Sequence, residues 1–367
     1  MKWFTRHHPR SLIPRLLYVA KVPWDPQSRT GQLLWHVASL GWHVDLLYET
    51  ETQEVKKITD TLYVYSHWSL LLRTKYGVVW TEKLDPLPRR FRALVVQECH
   101  DPALPLHPDA QLLICTDQRS FEVLSENHPH VLLLPDGCTG DLVKTPQPAP
   151  QEFAHVRRPI LGYVGSLEDP VALELLKQAA TYYRYCSFAL IGPLGTGSIS
   201  LPPNVLVLGP RSRQELPAYV QHVDLLLLNV EDGQLFPEVY EYLALGKPLI
   251  VFTGEDLSSL GLLAWGSIKW EGLQSQLEQA LEELGVVPDE GNLGLAWGKR
   301  TVSLSDLKQR QRPARSPKRS QGVAAAELAE KRRKLAFQNT WTERARQLLT
   351  EIRRAFEVQE QQTRRWF

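Results

Sequence analysis

The segment Phe236–Phe252, FPEVYEYLALGKPLIVF, decides how this chain is read. Pro237 suits the first turn of a helix, where its missing N–H removes no intrahelical bond, and Gly246 suits a left-handed C-terminal cap. Lys247-Pro248 then passes the chain directly into Leu249–Phe252, a short apolar run of strand type. The segment therefore predicts a helix over Pro237–Leu245 and a buried strand after it. A helix that starts at the carboxyl edge of a parallel sheet turns unpaired N–H groups and the positive end of its dipole outward, which makes an anion site. Glu241, one turn in, offers a carboxylate that can accept two hydrogen bonds from vicinal hydroxyls such as those of a ribose. Its position behind a proline-started helix favours this reading over that of a solvated helix residue.

Working upstream, apolar strand-like runs alternate with helix-like ones. Ile160–Gly165, Ser187–Ile191, Val205–Leu208 and Asp224–Asn229 read as strands; Pro170–Tyr183, capped by Asp169, and Gln214–His222 read as helices. Fully apolar strands between helices imply a parallel sheet covered on both faces. Gly165-Ser166, Gly192-Pro193 and Gly209-Pro210-Arg211 end three of the strands, so these turns line one crevice, with glycine allowing close main-chain approach to a phosphate. The run GPLGTG at 192–197 lacks G-x-G-x-x-G spacing and reads as a flexible loop. Arg211 is balanced between a ligand contact and a surface ion pair.

The first half repeats the alternation. Leu16–Val22 and His43–Tyr48 read as strands around a helix at Gln32–Leu40, and Thr61–Tyr65, Ala93–Gln97, Leu112–Cys115 and Val131–Leu134 continue the set. Trp24, Asp25, Arg29, Gly31 and Gln32 follow the first strand, where a second ligand would be contacted. Glu98-Cys99-His100-Asp101 follows another strand at the same edge. His100 or Asp101 reads equally as a general base for a hydroxyl or as a helix N-cap with its hydrogen-bonded neighbour.

The 367 residues exceed twice a common single-domain length of roughly 150, so two domains are expected. The boundaries read are a first domain at 1–143, a proline-rich linker at 144–158, a second domain at 159–284, a basic disordered insertion at 285–325 and C-terminal helices at 326–367 that dock back at the domain interface. In the last of these, Trp341, Ala345, Leu348, Ile352 and Phe356 form one apolar stripe behind a capping-box spacing of Thr340 and Glu343.

An apolar fraction of 43% and 11 tryptophans exclude wholesale disorder, and a net charge of +1 gives no global field for nucleic acid. Segment 299–319 holds eight Lys/Arg against one acid, leaving the remaining 34 basic and 40 acidic residues net negative. That patch suits solvated disorder or contact with anionic lipid, and the absence of interleaved aromatics argues against nucleic acid. Cys99, Cys115, Cys138 and Cys186 are widely spaced with no C-x-x-C pair, which argues against zinc fingers and secreted disulfide scaffolds and for small core residues. A cytoplasmic chain is expected, peripheral to the inner membrane face at most, and no metal is required.

Taken in order, LGYVGSL, FALIGP, NVLVLGPRSRQELPAYVQHVDLLLLNV, FPEVYEYLALGKPLIV and KRRKLAFQNTWTERARQLLTEI resemble the C-terminal domain of GT-B glycosyltransferases of the family 1 and family 4 group, in particular bacterial enzymes of cell-surface polysaccharide assembly. WDPQSRTGQLLWHVASLGWHVDLLYET and LLLPDGCTGDLV are similar to that group's opening and to its strand before the linker. The resemblance covers most of the chain outside 285–325. It implies two Rossmann-like doubly wound parallel-sheet domains facing a cleft, and transfer of a sugar from a UDP- or GDP-type donor to a hydroxyl of a glycan or lipid-linked acceptor, with no further cofactor. On that resemblance Glu241 binds the donor ribose, Gly165 and Ser166 approach the diphosphate, Arg211 lies near base or phosphate, and Pro193, Pro237 and Glu238 complete the donor side. Trp24, Asp25, Arg29, Gly31 and Gln32 fall to the acceptor side. The chain departs from the group where Glu238 and Val239 replace an expected lysine, and where Gly233 replaces an acid eight residues before Glu241. These departures keep a second reading open, a degenerate relative acting as a binding or scaffold subunit. A sugar-nucleotide epimerase is a third.

Overall fold

The computed structural model describes residues 15–71, 73–82, 93–103, 105–193, 195, 200–229, 235–253, 257, 260, 261, 263–286 and 319–365. It divides into two compact units, Met1–Gly137 with Asn339–Phe367, and Cys138–Gln338.

The first unit is built on an eight-stranded sheet. Its strands are β1 (Arg15–Val19), β2 (His43–Leu47), β3 (Val55–Lys57), β4 (Leu62–Tyr65), β5 (Val78–Thr81), β6 (Leu94–Glu98), β7 (Ala110–Cys115) and β8 (Val131–Leu133), in the order β3-β4-β2-β1-β5-β6-β7-β8. All described pairings are parallel except β3 with β4. β5 and β6 are buried throughout, as central parallel strands covered on both faces must be. The chain order reverses direction between β1 and β5, which makes their carboxyl ends the switch point of this sheet.

Two helices of this unit start from capped turns after β1 and β7. Helix α1 (Arg29–Ser39) starts at Ser28, whose side chain accepts from the Gly31 N–H, and buries Leu33, Leu34, Val37 and Ala38. Helix α2 (Gln118–Asn127) starts at Asp117, which accepts from the Ser120 N–H. The last helix of the chain (Trp341–Arg365) joins the core of this unit through Trp341, Ala345, Leu348 and Ile352, the apolar stripe expected from its spacing.

The second unit carries β9 (Ile160–Val164), β10 (Ser187–Ile191), β11 (Val205–Gly209), β12 (Leu225–Leu228), β13 (Leu249–Val251) and β14 (Trp265–Gly266), paired in parallel in the order β11-β10-β9-β12-β13-β14. Its switch point lies between β9 and β12. The helices are α3 (Asp141–Lys144), α4 (Pro170–Tyr182), α5 (Leu216–Val220), α6 (Leu235–Leu243), α7 (Trp270–Glu283) and α8 (Arg319–Gln338); the final Trp341–Arg365 helix is α9. Residues of α4 and α7 cover one face of the sheet, and those of α5, α6 and α8 the other. Asp169 caps α4 with Pro170 at its first position, as read from the sequence.

Several expectations are revised. The first boundary moves from 143 to 137, because 138–144 is bonded into the second unit, through Cys138 Sγ on the Ala336 carbonyl at 3.5 Å and through main-chain contacts to Glu241. The stretch read as a linker also packs on that unit: Phe153 is buried in its core, and Gln147 is bonded to Gln221 and His222. The C-terminal helices separate, α8 packing on α6 and α7 and α9 on α1. Arg332 anchors α8 as a fully buried bidentate partner of Glu283, at 2.5 and 2.8 Å. Helix α8 starts at Arg319, seven residues before the expected start at 326, and the remainder of the expected insertion, 287–318, lies outside the described residues. All four cysteines are buried, and burial lifts the thiols of Cys99 and Cys186 to about 12 and of Cys115 to about 11.

Candidate functional site

The carboxyl edge of the second sheet is made of main chain. Gly165, after β9, has φ 146°, and a Cβ built there would lie 2.7 Å from the Asn229 Cβ at the end of β12. Gly192, after β10, has φ 150°, and its Cβ would lie 1.8 Å from the Gly165 carbonyl oxygen. The Gly165 N–H donates to Ile191 and the Gly192 N–H to Gly209, both at 3.1 Å. The three expected glycine turns are thus in contact, and any side chain at 165 or 192 would force them apart. Ser166 is held by its carbonyl, which accepts from the Tyr163 hydroxyl at 2.6 Å, and its own hydroxyl accepts from the Glu168 N–H at 3.2 Å. Pro193 is exposed beside them, its carbonyl accepting from Leu167 N–H.

Helix α6 begins at Leu235, two residues before the start read from Pro237, and ends at Leu243. Pro237 therefore occupies its third position, and Glu241 stands in its last turn. The carboxylate of Glu241 accepts from the N–H groups of Thr139 (2.8 Å), Gly140 (2.9 Å) and Leu142 (3.3 Å), and from the Thr139 hydroxyl at 3.1 Å. These are the free N–H groups that open α3, and a carboxylate is the natural partner for them. A carboxylate presents about four lone-pair sites, so a ribose would have to displace main-chain donors to reach it. Glu238 is half-buried in the same helix, and Tyr242, pushed well above its ordinary range by burial and then by Glu238 and Glu241, packs below them. Arg211 lies over the Tyr219 ring at 4.8 Å and reaches Glu152 at 3.4 Å, a contact shared with the Tyr219 hydroxyl. This is the ion-pair alternative weighed for Arg211. Lys247 donates to the carbonyls of Val220, Gln221 and Val223 and so closes the end of α5.

The carboxyl edge of the first sheet is made of ionisable side chains. Thr81 of β5 pairs with Gln97 of β6, which sets Glu82 beside Glu98 one residue further on. Glu98 is 3% exposed, and its Oε1 accepts from Arg29 Nε at 2.7 Å. Arg29, at the first position of α1, also donates to Asp136 and to the Leu134 carbonyl. Burial works against its charge, but Glu98 and Asp136 outweigh this and hold the guanidinium above its ordinary range. Tyr18 of β1, edge-on to Trp80, donates to Glu82. Burial, Glu98 and Glu82 all push its hydroxyl well above its ordinary range. Oxygen or nitrogen atoms of Glu82, Glu98 and the exposed His100 lie within 4.8 Å of one another.

Of the residues expected on this side, Arg29 and His100 are in that cluster. Asp101 is exposed and closes a turn by accepting from Ala103 N–H. Asp25 accepts from Gln27 N–H, Gln32 donates to the Pro26 carbonyl, and Trp24 packs on the core. A Cβ on Gly31 would meet the Asp25 carbonyl at 1.9 Å, so this glycine lets the turn close on α1. Tyr18, Glu82 and Asp136 were not singled out from sequence, and Glu98 was named only as the start of Glu98-Cys99-His100-Asp101, with no role. Glu98 had a signal, an acid ending an apolar strand; Glu82 had none without β5.

No protein-family model matches the chain. TuaH of Bacillus subtilis (strain 168), named as a teichuronic acid biosynthesis glycosyltransferase, is 28% identical over 102 residues. The match takes in 25% of this chain, and the chain spans about a quarter (26%) of that relative's length. Among solved structures, sucrose-phosphate synthase of Thermosynechococcus elongatus superposes with a TM-score of 0.53 at 14% identity, over 94% of this chain and 100% of its own. The E. coli trehalose-6-phosphate protein bound with UDP-2-fluoro glucose gives 0.57 at 11% identity over 92% and 98%. Anabaena HepE with UDP gives 0.52 at 13% over 92% and 99%. At such identities the likeness carries the fold, and the chain has the two-domain GT-B architecture of these glycosyltransferases.

Proposed function

We propose that the chain is a glycosyltransferase moving a sugar from a nucleotide diphosphate sugar to a hydroxyl of a glycan or lipid-linked acceptor. The observation that carries this is the contact of Gly165, Gly192 and Gly209 along the carboxyl edge of the second sheet, from Gly165 at its switch point outward, where a side-chain-free edge lets main chain approach a diphosphate. Three structural neighbours share the fold, and two of them were crystallised with UDP or a UDP-sugar. The donor is assigned to that edge and held by Gly165, Ser166 and Pro193, with the N-terminal end of α6 near Pro237 opposing the leaving diphosphate. Main-chain donors aimed at developing charge act without reorganising, so no metal is needed on the donor side. Glu241 is left to the fold. The acceptor hydroxyl is assigned to the ionisable edge of the first unit around His100. A cytoplasmic location with contact to anionic lipid through 299–319, in polysaccharide assembly, fits this chemistry. Among the described residues no helix is long and apolar enough to cross a membrane.

The occupied Glu241 carboxylate, with Glu238 in place of a lysine, favours a second reading, a binding or scaffold subunit of the same fold. Calorimetry with UDP-, GDP- and TDP-sugars separates the two. Saturable binding of one donor supports transfer, and no binding by any supports the scaffold.

A further inference from the structure

The geometry points to a divalent-cation site in the first unit formed by Glu82, Glu98 and His100, suited to zinc or manganese. It rests on no part of the sugar-transfer reading.

The three groups come from the ends of β5 and β6, adjacent strands on the side of the sheet's switch point, and their ligating atoms fall within 4.8 Å of one another. Closeness of acids alone would say little. The second observation is the state of Glu98. Its Oε1 is bound by Arg29, while its Oε2 is out of reach of solvent and has no hydrogen-bond partner. A buried carboxylate oxygen without a donor is rare in native proteins and asks for a partner. The described side chains around it supply none: the Tyr18 hydroxyl donates to Glu82, and all three Arg29 nitrogens are committed to Glu98, Asp136 and Leu134.

The charges agree. Glu98 and Asp136 share the Arg29 guanidinium, and Glu82 beside Glu98 adds a further carboxylate, so the cluster carries an excess of negative charge that a divalent ion would offset. Burial grades from Glu98 through the half-buried Glu82 to the exposed His100, which gives an ion a path in from solvent. Two carboxylates and one imidazole are a mixed oxygen and nitrogen set, which suits zinc or manganese better than the all-oxygen preference of magnesium or calcium. Three protein ligands also leave a coordination position open to water or to a hydroxyl of a bound ligand. In this arrangement His100 is a metal ligand, in place of the general-base or capping role read from sequence.

The test uses the full chain, freed of metal by chelation and dialysis. Mn2+ is titrated with the free ion followed by electron paramagnetic resonance, and Zn2+ is titrated by calorimetry. One saturable equivalent is expected, weakened at least about tenfold in His100→Ala and in Glu82→Gln and unchanged in His155→Ala, an exposed histidine of the second unit. His100 is exposed, so its removal leaves folding intact. No saturable uptake of either ion up to about 1 mM, or uptake indifferent to both substitutions, overturns the site.

Discussion

At the carboxyl edge of the second sheet, β9, β10 and β11 end in glycines whose main chains touch; at the same edge of the first sheet, β1, β5 and β6 end among Tyr18, Glu82, Glu98 and Arg29. The two units share a fold plan and place opposite chemistry at equivalent positions. Where the edge is main chain, the nearby carboxylate Glu241 serves the fold by holding the start of α3. Where the edge is side chain, Glu98 keeps one oxygen unpartnered. A carboxylate is therefore assigned to structure or to function by counting its donors, not by its place in a motif.

The largest effect expected is on the first edge. Arg29→Ala removes the partner of a fully buried carboxylate, and loss of about 3–5 kcal/mol of stability is expected in urea unfolding. A loss under about 1 kcal/mol, the range of exposed ion pairs, would mean that Glu98 is not held as a buried ion. Next, Gly192→Ala drives a methyl into the Gly165 carbonyl, which should cost about 3 kcal/mol by overpacking. A neutral result there would show that the glycine edge is not in contact.

Glu241→Ala leaves the N–H groups of Thr139, Gly140 and Leu142 without their acceptor, and about 2 kcal/mol is expected. Asp117 provides the exposed counterpart, a carboxylate capping a helix at the surface. Asp117→Ala should cost about 1 kcal/mol at neutral pH. The backbone hydrogen bond from Ser120 holds the Asp117 carboxyl below the usual range, so its stabilisation is fully present above about pH 4 and is lost as pH falls through the lower folded value. The wild type and Asp117→Ala should therefore converge in stability in acid. A gap that persists would show that the cap is not charge-dependent.

The legible and illegible parts of this chain divide along the same physical line. Local signals were enough for the Asp169-Pro170 start of α4, the Gly246 cap at φ 75° and the stripe on α9, because each depends on residues within a few turns. Strand β5, four residues and wholly buried, shows no alternation and was missed. Strand β3, exposed with two lysines, looks like loop. Helix α2 buries only Ser120 and Leu124 and has almost no apolar face to read. The glycine edge could be read because glycine's role is set by the main chain at its own position. The ionisable edge could not, since Arg29 meets Glu98 and Asp136 only through the sheet order. Glu241 shows the limit most plainly: its chemistry as a hydrogen-bond acceptor was legible, and its partners about a hundred residues away were not.

The division of labour between the glycine edge and Glu241 is tested most directly by a calorimetric titration of UDP, and of the donor sugar identified in the panel, into the wild type and Glu241→Gln, with thermal unfolding of both. Saturable binding is expected with affinities within about threefold of each other and a lower unfolding temperature for Glu241→Gln, since this carboxylate holds α3 and the donor is proposed to bind at the glycine edge. Affinity lost by about tenfold or more with unfolding unchanged would contradict that division and return Glu241 to the ribose.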